Sequence, residues 1–217
     1  MKNILILFLL PLFCLAQKAD TLINNGVYES LYSYKYGQPT YVKYKLYKGG
    51  GNCNRKSEGF FFHGDSIIPH LAADGDDYQA TGYDKGHMAN AEDFAYDCKK
   101  EEVTFRYYNS VPQTAKLNRG IWKTSETKIR EWSQTDSLLI FCGGLFTKKS
   151  KPVREGSNLI IPTYCYKIAI SLTSHKLLMC EMFENDSTPV QKTVPMIEIE
   201  AMTRFFFDRK AGFGIKK

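Results

Sequence analysis

The sequence predicts a single α+β domain with a mixed or antiparallel central sheet and flanking helices. Short strand-like runs bounded by turn residues recur along the chain, and two later segments space their apolar residues as helices do. No Pro/Gly/Ser-rich linker and no internal repeat divides the chain. At 217 residues it is long enough to bury a substantial core, and fourteen Tyr and fourteen Phe supply large side chains for it.

The first element is read as a leader rather than as part of the domain. Lys2 precedes an apolar run from Ile4 to Leu15 that is too short to span a bilayer. Cys14-Leu15-Ala16 then places small residues where a signal peptidase reads. Residues 1–16 are expected to be a signal peptide and 17–217 the single domain, secreted or periplasmic, with no membrane association after cleavage.

Tyr41 to Tyr47 alternates as a strand does. Gly49 to Ser57 is a glycine-rich basic loop, and Phe60 to Phe62 a short extended piece. Leu71 to Gly82 is polar, with a turn at Asp74-Gly75, and Phe105 to Tyr108 reads as a short aromatic strand. A helix begins near Asn118 and runs to Trp132. Leu138 to Cys142 is a buried strand that Gly143-Gly144 should end. Leu159 to Leu172 and Leu177 to Phe183 form a hairpin turning at Ser174-His175. Pro195 to Phe207 is expected to be a helix, because Met196, Ile199, Met202, Phe205 and Phe206 follow helical spacing.

The net charge of +6 is compatible with a polyanionic partner and does not by itself specify one. Beyond Cys14 the chain has Cys53, Cys98, Cys142, Cys165 and Cys180, an odd set without zinc-finger spacing. Cys142, Cys165 and Cys180 lie in apolar runs and read as buried packing residues. Cys53 and Cys98 lie in polar loops and are the better candidates for a bridge in an exported protein.

Four histidines are available for chemistry. His63, His70 and His175 lie in polar, turn-like surroundings. His87 sits in Tyr83-Asp84-Lys85-Gly86-His87-Met88, between an acid, a base and a glycine, where Asp84 is a candidate acceptor to fix the imidazole tautomer. A second polar segment runs from Asn109 through Pro112-Gln113 to Leu117-Asn118-Arg119-Gly120-Ile121-Trp122, then Glu126 and Arg130. On a helical wheel of about 100° per residue, Ile121, Trp122, Ile129 and Trp132 share an apolar arc. Arg119, Lys123 and Arg130 form a basic flank, and Asn118 and Glu126 share the seam between them. An amide and a carboxylate beside cations suit a phosphate-bound magnesium, which takes oxygen ligands and keeps several waters. Asn118 and Glu126 are separated by roughly 12 Å of helix, so Asn118 is assigned to direct coordination and Glu126 to contact through water.

Together the two segments resemble the DNA/RNA non-specific endonuclease family of the ββα-metal (His-Me finger) superfamily. The first signature, Asp-Arg-Gly-His after Gly-Tyr, reads here Gly82-Tyr83-Asp84-Lys85-Gly86-His87. The second, an Asn, a Pro-Gln, Leu-Asn-x-Gly-x-Trp and a Glu four residues on, reads Asn109, Pro112-Gln113, Leu117 to Trp122 and Glu126. Arg55 stands where the family carries a phosphate-contacting Arg, and Pro162 to Lys167 resembles a strand that follows the site.

The resemblance implies a ββα-metal active-site motif within the α+β fold and a secreted, Mg2+-dependent endonuclease, with Mn2+ as a substitute. It would cut DNA and RNA without sequence preference, leaving 5′-phosphate and 3′-hydroxyl ends. It also implies His87 as general base, Asn118 as direct metal ligand, Glu126 as positioner of the metal's waters, and Asn109 as support for His87 or its loop. Arg55, Lys85 and Arg130 would steady the phosphate. Lys85 departs from the family's Arg and cannot make that residue's planar two-pronged contact. A catalytically weak or inactive nucleic-acid-binding relative is therefore the alternative, and a structural domain with a core His87 a further one. The family admits homodimers, but no residue here argues for one.

Overall fold

The computed structural model describes residues 20–53, 75–208 and 212–215. The expected leader, the extended piece at 60–62, Arg55, His63 and His70 lie outside them. In chain order the strands are β1 (Thr21–Asn24), β2 (Glu29–Ser33), β3 (Gln38–Leu46), β4 (Tyr83–His87), β5 (Ser110–Thr114), β6 (Leu138–Leu145), β7 (Lys151–Pro152), β8 (Ile160–Ile161), β9 (Tyr164–Ser171), β10 (Leu177–Glu184), β11 (Gln191–Thr193), β12 (Phe205–Asp208) and β13 (Gly212–Ile215). The α-helices of four residues or more are α1 (Gly75–Tyr78), α2 (Cys98–Val103), α3 (Lys123–Trp132) and α4 (Met196–Thr203), and a single helical turn, Ala115–Leu117, follows β5.

Seven strands form one antiparallel sheet in the order β1-β2-β3-β6-β9-β10-β11. The expected α+β class and central sheet are observed, in wholly antiparallel form. β6 lies between β3 and β9, and all eight of its residues are buried. Leu138, Ile140 and Cys142 point to one core, with Trp122 and Ile129. Leu139 and Phe141 point to the other, with Ile199 of α4 and Phe207 of β12. A strand covered on both faces needs no polar alternation, so β6 reads as a continuous apolar run. Among the described residues no helix is long and apolar enough to cross a membrane.

Four expectations change. β6 runs through Gly143 and Gly144 rather than ending there. A Cβ on Gly143 would lie 2.2 Å from the Thr40 carbonyl oxygen, so this glycine permits close backbone approach and is not a turn signal. The stretch 159–172 is not one strand but β8 and β9. The C-terminal helix stops at Thr203, where Arg204 takes a left-handed conformation, and Phe205 starts a strand instead of continuing the helical stripe. The aromatic stretch at 105–108 leads into a tight 3-10 turn, Tyr107–Asn109, which buries both tyrosines without extending them. Cys53 and Cys98 are bridged, while Cys142, Cys165 and Cys180 are buried free thiols.

Candidate active site

The two sequence motifs meet as an antiparallel ribbon beside the main sheet. β4 carries Tyr83 to His87 and β5 carries Ser110 to Thr114, with Asp84 opposite Gln113 and His87 opposite Ser110. The fit is tight at Gly86, where a Cβ would lie 2.0 Å from Gln113 Oε1. Gln113 is wholly buried, and its Nε2 donates to Cys165 Sγ on β9. The glycine of one motif and the glutamine of the other thus interlock, and the glutamine ties the ribbon to the sheet.

Asn109 braces the chain leaving His87. The Met88 amide donates to the Asn109 carbonyl, and the Ala89 amide to Asn109 Oδ1. Asn109 Nδ2 donates to the carbonyls of Ala89 and Thr104 at 2.9 and 2.8 Å. His87 itself is half-buried, and its ring meets Phe105 edge-on at 4.7 Å between centroids.

Asp84 links the motifs electrostatically. Its Oδ2 accepts from Asn118 Nδ2 at 2.9 Å and from Arg119 Nε at 2.8 Å, and its Oδ1 accepts from Arg119 Nη2 at 2.7 Å. The Arg119 hydrogen bonds, helped by Asn118 and opposed by partial burial, hold the Asp84 carboxyl below its ordinary range. Asp84 was expected to orient His87. Strand alternation instead sets Asp84 and His87 on opposite faces of β4, and the carboxylate turns to the helix start. Because a carboxylate can only accept, the Asn118 group facing it is the NH2, which turns the amide oxygen away from Asp84.

Asp84, Lys85, Asn118 and Arg119 line an open depression of about 530 Å³ with Tyr78, Gln79 and Tyr83. Lys85 Nζ lies 5.6 Å over the Tyr78 ring. The geometry therefore brings Lys85 and Asn118 together and adds Arg119, which the sequence reading left in the helix flank. A second hollow of about 500 Å³, between Tyr28, Tyr44, Phe94 and Tyr96, contains no motif residue.

The apolar arc expected from the wheel is observed, with Trp122 and Ile129 buried and Ile121 and Trp132 packed on the same core, but the shared polar seam of Asn118 and Glu126 does not survive. Asn118–Trp122 is a π-helical turn preceding α3, and Gly120 leaves helical geometry at φ −106°, ψ −115°. The phase is lost across that turn. Asn118 opens into the depression while Glu126 points inward, where its Oε1 lies 3.4 Å from Lys167 Nζ of β9. Lys167 is fully buried, with its Nζ 3.8 Å above the Trp122 ring. The basic flank also separates. Arg119 forks onto Asp84, and Arg130 pairs with buried Asp93 and donates to Asn90 Oδ1. Tyr44 Oη donates to the other Asp93 oxygen at 2.8 Å. Burial pushes the Asp93 carboxyl up to about 6, although Arg130 and the Tyr44 hydrogen bond pull it down.

Lys167, Asp93 and Tyr44 were missed as partners of the site. For Lys167 the visible signals were the family-like strand Pro162 to Lys167 and a lysine inside the otherwise apolar run Tyr164 to Ile170.

This ribbon-and-helix arrangement on an antiparallel sheet defines a recognisable class. The model of the DNA/RNA non-specific endonuclease family matches residues 14–211, and the chain belongs to that family. It is 25% identical to mitochondrial endonuclease G of Bos taurus over 171 residues, covering 72% of this chain and 56% of the bovine protein. It is 26% identical to a nuclease of Syncephalastrum racemosum over 174 residues, covering 68% of this chain and 54% of the fungal one. The chain spans about half the length of these curated relatives. A crystal structure of the EndoG/EndoGI complex superposes with a TM-score of 0.71 at 24% identity. It covers 86% of this chain and 85% of that one, so the fold is shared.

Proposed function

We propose that the protein is an exported, magnesium-dependent endonuclease that hydrolyses DNA and RNA with little sequence preference. The observation that carries this reading is the Asp84–Asn118 hydrogen bond, which joins the His87 strand to the Asn118 turn at a depression also lined by Lys85 and Arg119. Family membership supports the reaction class. The Cys53–Cys98 bridge and the leader-like residues 1–16 support export.

The residues present fit a hydrated divalent ion. Among the described residues no three His, Cys, Asp or Glu side chains converge, so an all-protein cage is not what they offer. They offer one amide oxygen, Asn118 Oδ1, set by its hydrogen bond to Asp84, and open space for waters, which suits magnesium. When bound, the ion supplies positive charge to the phosphate and the departing 3′ oxygen. His87 takes a proton from the attacking water, the general-base role for which an imidazole is suited near neutral pH. His87 lies three residues along β4 from Asp84, about 10 Å of extended strand, and is not among the residues that line the Asn118 depression. Lys85 supplies a cation to the phosphate, while the Arg119 guanidinium is held in its fork on Asp84 at the same depression. Products carry 5′-phosphate and 3′-hydroxyl ends.

Contacts to phosphate and metal read the backbone rather than base edges, so weak sequence preference follows. The test is digestion of plasmid DNA and of RNA by the purified protein. Degradation of both with magnesium, none with EDTA, and none by a folded His87→Ala variant is expected. Salt-sensitive binding without cleavage would assign the chain to the non-cutting alternative.

A further inference from the structure

Two further hollows adjoin the depression at Asn118, and all three share Tyr83. Tyr83, at the start of β4, lines the depression together with Lys85 and Arg119. The same tyrosine lines a hollow of about 330 Å³ with Lys149 and Lys151, and one of about 350 Å³ with Lys151 and Arg154. These cations sit on the arm that leaves β6 and returns through β7 and β8, and all three are exposed. Of the acids along the same walls, Glu184 is paired with Lys192 at 2.9 Å, and Asp186 accepts from the Thr188 amide. Glu155 is the third.

The arm is built onto the site. β7 pairs with β8, and the Val153 amide donates to the Leu159 carbonyl. Leu159 and Val153 pack with Tyr78, which lines the Asn118 depression. Ser157 Oγ donates to Asp77 Oδ1 on α1 at 3.0 Å. On the other side the Asn185 amide donates to the carbonyls of Pro112 and Pro162, tying motif strand β5 to the arm's return. A cationic surface held at both ends against a phosphate-handling site, and sharing a lining tyrosine with it, is suited to the next stretch of the same polyanion.

We infer that the β7–β8 arm is a second segment of the substrate track, in which Lys149, Lys151 and Arg154 bind the phosphates of the nucleic-acid strand flanking the scissile bond. This rests on the nuclease reading of the site. It adds a grip on long substrate, separate from the residues that face the reacting phosphate. Tyr83 is the junction, placed to stack on a base or sugar as the strand passes from one hollow to the next.

The test measures binding of a short DNA duplex to the His87→Ala protein as salt is varied, with and without Lys149→Gln, Lys151→Gln and Arg154→Gln together. Removing three phosphate contacts should flatten the log–log salt slope by roughly 2 to 3. The affinity gap between parent and triple variant would then close by about 40-fold between about 50 and 200 mM salt. A matched triple, Lys45→Gln, Lys99→Gln and Lys176→Gln, removes equal charge from β3, α2 and the β9–β10 connection and should leave the slope near the parent's. An arm variant with the parent's slope, or a control triple that flattens it equally, overturns the proposal. A parent that does not bind DNA at all refutes the underlying nuclease reading and the proposal with it.

Discussion

Replacing Lys167 with methionine probes the least expected feature of the site. The ammonium is fully buried beneath the sheet, 3.4 Å from Glu126 Oε1 and over the Trp122 ring, and the Glu126 side chain is only 7% exposed. At 3.4 Å the pair is coupled by charge but lacks hydrogen-bond geometry, and among the described residues Lys167 Nζ has no hydrogen-bond acceptor. Lys167→Met keeps most of the side-chain volume and strands a carboxylate in the core. Removing one partner of a buried pair costs about 3–5 kcal/mol. For a domain of this size each kcal/mol moves Tm by about 2–4 °C, so the melting temperature should fall by on the order of 10 °C. Adding Glu126→Leu to Lys167→Met removes the stranded charge and should recover most of that loss. Thermal unfolding followed by circular dichroism measures both variants. A single variant melting within about 2 °C of the parent, or a double variant melting below the single, would refute a coupled buried pair.

Two further outcomes follow from the same structure. Burial raises the folded-state carboxyl of Asp93 to about 6, above its unfolded value, so its favourable contribution is complete at low pH and is lost as pH rises through 6. The stability advantage of the parent over Asp93→Asn should therefore shrink between about pH 4 and 7, by on the order of 1–3 kcal/mol, and denaturant melts across that range would expose a constant or growing difference. The Cys53–Cys98 bridge closes a loop with a sequence separation of 45, worth about 4 kcal/mol of chain entropy. Cys53→Ser or a reductant should lower Tm by on the order of 10 °C, and an unchanged melt under reducing conditions would contradict that stabilisation.

Much of this fold was legible because its elements are locally consistent. β3 announces itself by alternation, the Cys53–Cys98 bridge by the polarity around both cysteines, although Cys98 opens α2 rather than lying in a loop, and the hairpin of β9 and β10 by the turn at His175, which takes positive φ. The failures share a cause: the deciding contact lies far away in sequence. Gly143 looks like a stop until the Thr40 carbonyl is seen to approach it. Phe205 fits a helical stripe until Arg204 turns the chain. The site shows the same division. The motifs supplied His87, Lys85, Asn109 and Asn118. The wheel that put Arg130 near phosphate and Glu126 beside Asn118 assumed unbroken helical phase, which the π turn at Gly120 removes. The inward pull of Asp93 on Arg130, and of Lys167 on Glu126, comes from separate elements that no local pattern connects.

The account depends most on His87 and Asn118 serving one phosphodiester from the two sides of a shared site. Single-turnover cleavage of DNA in magnesium by His87→Ala, Asn118→Ala and the double variant tests it directly. Groups that act as a unit are strongly non-additive, so each single change should cost several orders of magnitude and the double variant should be little worse than the poorer single. Fully multiplicative losses, or near-native rates in either folded single variant, would contradict it.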